Sequence, residues 1–177
     1  MRVGCIIALT SGDLDVAAAE AGRAVAADPQ HPPALVLEAH ISLLTGDPDA
    51  ALETLDRAEI AAAGEPVRGL HLMRGNALGQ LGRLDEAERE FLDETGVFPG
   101  DARAYGRLAM LYGGTGRPER AVEVLRGLVD LNPSPGAYGM AAMTLRSAGR
   151  FEEAAGFLAE GLEKFPDNPR LRRMAGG

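Results

Sequence analysis

The segment GRLDEAEREF occupies residues 82–91, and two related segments follow it, GRPERAVEVL at 116–125 and GRFEEAAGFL at 149–158. The three segments therefore begin at positions 82, 116 and 149. Self-similarity at a fixed period of about 34 residues is typical of repeat proteins, in which each repeat is one small supersecondary unit. The sequence therefore predicts repeated units rather than one unrepeated core.

The same phase extends along the chain when the glycine of each segment serves as a landmark. Five glycines recur at nearly constant spacing, and an alanine lies at the fifth position after each. The glycines are Gly12, Gly46, Gly82, Gly116 and Gly149, and the alanines are Ala17, Ala51, Ala87, Ala121 and Ala154. Most units close with a proline, at Pro29, Pro99, Pro133 and Pro166, and the second has Ala63 in this place. The landmarks predict five units of one kind.

Each landmark has a physical role in a helical hairpin. A glycine after a helix takes the left-handed conformation that ends the helix, and acids such as Asp85 and Glu86 favour the first turn of the next helix because of its dipole. Pro48 and Pro118 suit the first helical position, where the missing N–H has no intrahelical partner. The alanine marks a close contact of two antiparallel helices, which a larger side chain would overpack. Each unit is therefore predicted to be a helix, a turn and a helix.

Apolar residues recur at helical spacing around the alanine and predict the buried stripe of each second helix. The stripes are Leu84, Ala87 and Phe91; Val122, Leu125 and Leu128; and Phe151, Ala154, Phe157, Leu158 and Leu162. One hairpin cannot cover its own apolar face, so neighbouring hairpins must stack.

This pattern resembles the tetratricopeptide repeat (TPR), whose signature joins a 34-residue period to W-x2-L-G-x2-Y, A-x3-F and a closing Pro. The fourth unit matches it best, through Tyr105, Leu108, Ala109, Tyr112, Ala121, Leu125 and Pro133. The third unit supplies Gly75, Leu78, Ala87, Phe91 and Pro99, with His71 where the family prefers Trp. The resemblance implies an all-α fold, an α-solenoid of stacked antiparallel helix pairs wound as a right-handed superhelix.

The resemblance also implies a domain organisation. A single TPR-like array would have repeats at about 1–31, 32–67, 68–101, 102–134 and 135–168, and residues 169–177 would begin a capping helix or a truncated sixth unit. Terminal repeats normally carry a polar cap, whereas CIIAL at residues 5–9 offers an apolar edge. We therefore expect a segment of a longer array or multidomain protein, with self-association through the uncapped N-terminal repeat as a further option.

Composition and charge narrow the classes of partner. The chain carries 18 Lys and Arg against 26 Asp and Glu, a net charge of −8, which disfavours nucleic acid as a partner. No apolar stretch approaches the ~20 residues that span a bilayer, and the apolar run near the N-terminus lacks the cleavage site of a secretion signal. We expect a soluble protein without membrane insertion, located in the cytoplasm, with the periplasm or attachment to a larger protein left open.

The sequence predicts no catalytic, cofactor or metal site. The glycine-rich segment at 112–119 lacks the G-x-x-x-x-G-K-[ST] pattern of a phosphate loop. His31, His40 and His71 show no metal-ligand spacing with one another or with Cys5. His71 is expected to replace the Trp-type packing residue, and Cys5 to pack as a small hydrophobe.

The resemblance implies that the first helices of the units line an inner, concave wall. The residues expected to bind a peptide there are Val36, His40, Leu72, Met73, Asn76, Gln80, Arg103, Gly106, Arg107, Met110, Gly139, Met140, Met143 and Arg146. Such a wall is apolar and locally basic, with the three arginines expected close together. Gly106 and Met110 recur in the next unit as Gly139 and Met143, and bare helix beside adaptable methionines would let a ligand approach closely. Against this, Gly makes up 23 of 177 residues, so some glycines fall on any face.

These observations predict a non-catalytic module that binds a peptide or protein segment of acidic and apolar character in its groove, as a scaffold or adaptor. One alternative is an accessory TPR region of a larger bacterial enzyme or regulator. Another is a sensor for a short peptide or a small effector.

Overall fold

The computed structural model describes residues 14–176, and all regular secondary structure in this range is helical. The helices are α1 (Leu14–Ala27), α2 (Pro32–Leu44), α3 (Pro48–Ala62), α4 (Leu70–Gln80), α5 (Leu84–Val97), α6 (Ala102–Gly114), α7 (Pro118–Leu131), α8 (Pro135–Ser147), α9 (Phe151–Lys164) and α10 (Pro169–Ala175). This confirms the predicted all-α class of paired helices. The predictions for Gly12, Cys5 and the apolar edge at 5–9 lie outside the described residues.

The helices belong to two compact units, residues 1–94 and 95–177. In the first unit, α2 packs against α1 and α3, and α4 packs against α2 and α3. In the second unit, α6 pairs with α7 and α8 pairs with α9, while α10 packs against α8 and α9. Each unit is therefore a stack of helical hairpins, and the boundaries of the individual repeats stay a prediction.

A three-residue turn with a left-handed glycine joins the helices of four pairs. Gly46, Gly82, Gly116 and Gly149 have φ values of 82°, 74°, 73° and 75°. The N–H of the next residue donates to a carbonyl five residues back, over 2.9, 2.9, 2.8 and 2.8 Å, in the pairs Asp47–Ser42, Arg83–Leu78, Arg117–Tyr112 and Arg150–Leu145. This bond defines the Schellman motif, so the predicted glycine caps are confirmed at these positions.

In two of the three recurring segments, the arginine after the glycine binds an acid of the next helix. Arg83 Nε donates to Glu86 Oε1 at 2.7 Å, and its terminal nitrogen donates to Oε2 at 2.7 Å. Arg150 pairs in the same way with Glu153, three residues later, through Nε at 2.8 Å. In these two segments the dipeptide ends one helix and neutralises an acid in the first turn of the next, whereas Arg117 of the remaining segment donates to Thr115 Oγ1 at 3.1 Å.

Prolines mark helix boundaries as predicted. Helices α3 and α7 begin at Pro48 and Pro118. The helices that precede a closing proline end two residues before it, at Val97, Leu131 and Lys164. Ala63 stands in the proline position of the second repeat and adopts a left-handed φ of 50° as the residue that caps α3.

The buried stripes of the second helices agree with the prediction except at their first residues. Ala51, Ala87, Ala121 and Ala154 are at most 3% exposed. Leu84 and Phe151, however, are 41% and 66% exposed. Their predicted burial was wrong because each begins its helix directly after the turn, beyond the contact with the paired helix.

One helix pair has a smaller packing residue on its first helix and a larger one on its second helix than the other pairs have. The third repeat has Gly75 in α4 and Phe91 in α5. The corresponding buried pairs in the second, fourth and fifth repeats are Ala39 and Leu55, Ala109 and Leu125, and Ala142 and Leu158. A Cβ atom on Gly75 would lie 2.5 Å from Cε1 of the Phe91 ring. The glycine is therefore required by the phenylalanine that packs over it.

A carboxylate joins three helices of the second unit. Glu160 in α9 accepts a hydrogen bond from the Tyr138 hydroxyl of α8 at 2.7 Å and also binds Arg126 of α7. Lys164 Nζ lies 3.4 Å from the same carboxylate. The hydrogen bonds from Arg126 and Tyr138 lower the pKa of Glu160 from 4.5 to about 2.

The contact between Gly75 and Phe91 predicts that Gly75→Ala lowers the free energy of unfolding with Phe at position 91 and raises it with Leu there. Gly75→Ala alone should lower the free energy of unfolding by about 1 kcal/mol, because overpacking costs about 1–3 kcal/mol and exceeds the ~1 kcal/mol that alanine gains over glycine in a helix. In a Phe91→Leu background the clash is absent, so Gly75→Ala should stabilise the protein by up to ~1 kcal/mol. Urea unfolding of the four proteins of this double-mutant cycle measures both values. Equal effects in the two backgrounds would show that the two side chains do not interact.

The carboxylate predicts a specific loss of stability in acid. Because the pKa of Glu160 is lower in the folded protein, its stabilising contribution is complete above its usual pKa of 4.5 and disappears as the pH falls towards about 2. Glu160→Gln should be less stable than the parent at neutral pH, and the difference should shrink over this acidic range. Unfolding free energies of both proteins, measured at several pH values, provide the test. A difference that stays constant down to the acid limit would exclude this role of Glu160.

Candidate functional site

The residues predicted to bind a peptide lie on the first helices of the pairs, which are side by side within each unit. In the first unit α2 contacts α4, and in the second unit α8 contacts both α6 and α10. We call Val36, His40, Leu72, Met73, Asn76 and Gln80 the first-unit face. We call Arg103, Gly106, Arg107, Met110, Gly139, Met140, Met143 and Arg146 the second-unit face.

The apolar members of the first-unit face are buried. Val36, Leu72 and Met73 are 9%, 2% and 6% exposed, so their side chains belong to the core. His40 and Asn76 are half-buried, and Gln80 is exposed with its amide donating to the Leu43 carbonyl at 3.3 Å. The surface that remains on this face is therefore polar, not apolar as the sequence indicated.

A buried carboxylate fixes the start of α4, which carries most of the first-unit face. Glu94 in α5 is fully buried and accepts hydrogen bonds from the backbone N–H groups of Gly69 at 2.8 Å and Leu72 at 3.2 Å. Gly69 precedes the helix with a left-handed φ of 86° and has no side chain that could cap it. The sequence did not indicate this role, because the capping residue lies on the other helix of the pair.

The exposed part of the second-unit face is built around two methionines. Met110 on α6 and Met143 on α8 are 52% and 50% exposed, and they occupy equivalent places on two helices in contact. The guanidinium of Arg170 in α10 lies 3.6 Å from the Met143 sulfur. Exposed apolar side chains can mark an interaction site where they form one patch, and these two methionines lie on helices that contact each other.

The glycines of the second-unit face do not leave bare helix for a ligand. A Cβ atom on Gly106 would lie 3.3 Å from the Met140 sulfur, and one on Gly139 would lie 3.7 Å from the Met174 sulfur. In both cases the next first helix places a methionine over the glycine. The expected Gly–Met pocket is therefore occupied by the protein itself, because the glycines allow neighbouring helices to approach closely.

The arginines of the second-unit face have different surroundings. Arg103 binds Asp101, the N-cap residue of α6, through two nitrogens at 2.9 and 2.6 Å. Arg146 donates to the backbone carbonyl of Met174 at 3.0 Å. Arg107 is exposed, and no carboxylate among the described residues forms an ion pair with it. Arg107 is thus the cation of this face best placed to meet a ligand.

The first helices of the second unit carry positive charge only. Helices α6, α8 and α10 contain six arginines and no acidic residue. The second helices carry the acids instead, in the first turns at Glu119, Glu152 and Glu153 and further along at Glu123, Asp130, Glu160 and Glu163. A locally basic surface therefore exists within a chain whose net charge is −8.

His71 has a polar partner and is not the buried packing residue that the sequence indicated. Its Nδ1 lies 2.8 Å from Glu90 Oε2, and the imidazole is only half-buried. This hydrogen bond is the main reason that the pKa of His71 is raised above 6.5. The packing prediction failed because the facing position of α5 holds a carboxylate.

Two clefts accompany these faces. One of about 430 Å³ lies in the first unit among α3, α4 and α5, with a charged lining that includes Asp56, Arg74, Glu90 and Asp93. The other, of about 360 Å³, lies between α9 and α10 in the second unit and is mainly apolar. Within residues 14–176, no helix combines the length and the apolar character that crossing a membrane requires.

Comparison with known solved structures places the fold among TPR proteins. A thermophilic TPR protein of Thermus thermophilus is 26% identical, with a TM-score of 0.74 over 99% of this chain and 95% of that one. A TPR protein of Parabacteroides merdae is 18% identical, with a TM-score of 0.66 over 97% of this chain and 67% of that one. YrrB, described as a TPR protein with an unusual peptide-binding site, is 18% identical, with a TM-score of 0.52 over 96% of this chain and 87% of that one.

Family comparison agrees with the structural one. No curated protein shows significant sequence similarity to the chain. Residues 8–73 match one family model described as tetratricopeptide repeat, and residues 72–134 and 107–169 match a second model with the same description. TPR proteins are typically non-catalytic, and their fold is in general a scaffold for protein–protein interaction. Since these matches span most of the sequence, the chain belongs to the tetratricopeptide repeat family.

Proposed function

We propose that the second-unit face binds a segment of a partner protein that carries both apolar and acidic side chains. The observation that carries the proposal is the pair of half-exposed methionines, Met110 and Met143, on adjacent first helices. Methionine is flexible and polarisable, and it is over-used where a surface must adapt to different apolar partners. The pair would supply the apolar anchor of the site.

The acidic character of the ligand follows from the charge of the same helices. Arg107 precedes Met110 by three residues on α6, so the two side chains lie on one side of that helix. A carboxylate that binds Arg107 could therefore be placed one helical turn from an apolar side chain that contacts Met110. With no acid on α6, α8 or α10, such a carboxylate would meet no repelling negative charge on these helices.

Arg103 and Arg146 contribute less to this site. The carboxylate of Asp101 already neutralises Arg103, and Arg146 is held by the Met174 carbonyl. We therefore assign the main electrostatic role to Arg107, whereas sequence alone would weight the three arginines equally.

The first-unit face provides a second surface of different character. Its exposed part is polar, because it consists of the side chains of His40, Asn76 and Gln80. A surface of this kind suits the backbone of a peptide or its polar side chains. YrrB, which shares the fold, is described as having a peptide-binding site, so peptide binding is within the range of this architecture.

The alternatives gain no support from the described residues. No observation favours an accessory role within a larger enzyme or a sensor for a small effector. Self-association through the N-terminal repeat and a cytoplasmic location also stay predictions.

A peptide-display experiment tests the proposed site. A library of random peptides displayed on phage, selected on the immobilised chain, should yield sequences in which acidic and apolar residues alternate within a few positions. The double variant Met110→Ala/Met143→Ala should weaken the best peptide by at least about tenfold, since anchors of this kind contribute more than about 1 kcal/mol. Arg107→Glu should weaken it by about tenfold at low salt and by less at high salt, because the interaction is screened. Fluorescence anisotropy of the labelled peptide measures these affinities.

Matched substitutions away from the face serve as controls. Leu131→Ala removes a side chain of α7 that is 64% exposed, and Arg120→Glu reverses an exposed charge on the same helix. Neither should change peptide affinity by more than about twofold. Failure to select any peptide, or equal losses in the control variants, would reject the second-unit face as the binding site.

A further inference from the structure

The third repeat places polar residues at a contact that is mainly apolar in the other described repeats. His71 of α4 faces Glu90 of α5. The equivalent positions hold Leu35 and Thr54 in the second repeat, Tyr105 and Val124 in the fourth, and Tyr138 and Phe157 in the fifth. Leu35, Tyr105 and Tyr138 are at most 7% exposed. The third repeat therefore has an imidazole and a carboxylate where the other described repeats have a mainly apolar packing contact.

A third ligand group lies next to this pair. Asp93 follows Glu90 by three residues on α5, so the two carboxylates project from the same side of the helix. The imidazole nitrogen of His71 and a carboxylate oxygen from each acid all lie within 4.8 Å of one another. Ligand atoms around a tetrahedral zinc ion with bonds of about 2.0–2.1 Å are about 3.3 Å apart. The 2.8 Å contact between His71 Nδ1 and Glu90 Oε2 would need to open only slightly to admit an ion.

We propose that His71, Glu90 and Asp93 bind a divalent transition-metal ion, with Zn²⁺ as the best chemical match. One imidazole and two carboxylates form a mixed nitrogen and oxygen ligand set that zinc accepts. Magnesium and calcium prefer oxygen ligands alone, so the imidazole disfavours both. The site is separate from the proposed peptide-binding face, and neither proposal depends on the other.

The surroundings favour a cation and leave room for its remaining ligands. Arg74 is held by Asp56 at 3.0 Å and by Glu59 at 2.9 Å, and Arg83 is held by Glu86 at 2.7 Å. The adjoining cleft is lined by the carboxylates of Asp56, Glu86, Glu90 and Asp93 and by the guanidinium groups of Arg74, Arg83 and Arg89. Glu90 and Asp93 also line the 430 Å³ cleft, from which water could complete the coordination.

The sequence does not reveal this site, because no metal-ligand spacing links the histidines with one another or with Cys5. The two carboxylates belong to the second helix of the pair, well beyond the reach of any short ligand motif that starts at the histidine. Only the turn at Gly82, which brings α5 back against α4, places them beside the imidazole.

Calorimetric titration of tag-free protein with Zn²⁺ tests the proposal. Every protein carries Cys5→Ser, so that the thiol cannot contribute, and the measurement is made at about pH 8, where the metal competes less with protons for the imidazole. The parent should bind about one equivalent of Zn²⁺ and unfold at a higher temperature when saturated. Mg²⁺ should produce neither effect.

Two ligand variants and one control identify the residues. His71→Tyr introduces the residue that the fourth and fifth repeats hold at this position, so the fold should tolerate it. Its Zn²⁺ affinity should fall by at least about tenfold. Asp93→Asn changes an exposed side chain of nearly the same shape and should also weaken binding by about tenfold. His31→Gln removes another histidine of the first compact unit, residues 1–94, and should leave Zn²⁺ affinity unchanged.

The proposal is overturned if the Cys5→Ser parent takes up no Zn²⁺, or if His71→Tyr or Asp93→Asn binds it as tightly as the parent. An equal loss of affinity in His31→Gln would likewise show that binding is a general property of surface histidines. Circular dichroism of each variant establishes that it is folded, and Asp93→Asn keeps the test decisive should His71→Tyr unfold.

Discussion

The left-handed glycine after each first helix is the constraint on which the rest of the structure depends. It permits a turn of three residues, closed by a Schellman hydrogen bond at 2.8–2.9 Å. A turn this short leaves the second helix no course except back along the first. The phase between the two helices is then fixed, so that the buried alanine of the second helix falls at the same place in the four described pairs. The regular period of the sequence is the consequence of this one local conformation.

The connections between pairs are less constrained, and the irregular part of the sequence falls there. The interval between Gly46 and Gly82 is longer than the others, and the extra length lies in the seven residues between α3 and α4, against three or four in the later connections. This longer connection ends at a left-handed glycine, Gly69, which cannot cap α4 with a side chain. Glu94 supplies the missing cap from the paired helix. A buried carboxylate thus compensates for an insertion that the turn could not absorb.

These differences explain how far the sequence could predict the structure. Helix boundaries followed from glycine and proline because the chemistry of those residues is local to the chain. The expectation that the first helices share one surface came from the resemblance to TPR proteins. Which of its residues are exposed could not be predicted, because Gly106 is covered by Met140 of the next first helix, and Val36 and Met73 are buried in the core. The partners of His71 were missed for the same reason, since they lie on another helix.

The basic character of the second-unit face has its origin in helix capping. Acidic residues lie along the second helices, and some of those in the first turns are stabilised by the dipole of the helix and by a preceding arginine. The first helices begin instead with Asp101, Ser134 or Asn168 just outside the helix, as N-cap residues that satisfy backbone N–H groups. No helix end then requires a carboxylate within α6, α8 or α10, and arginine can accumulate there. A chain of negative net charge can therefore present a positive surface on these helices. The charges are separated within the helix pairs of the second unit, with arginines on the first helix and acids on the second.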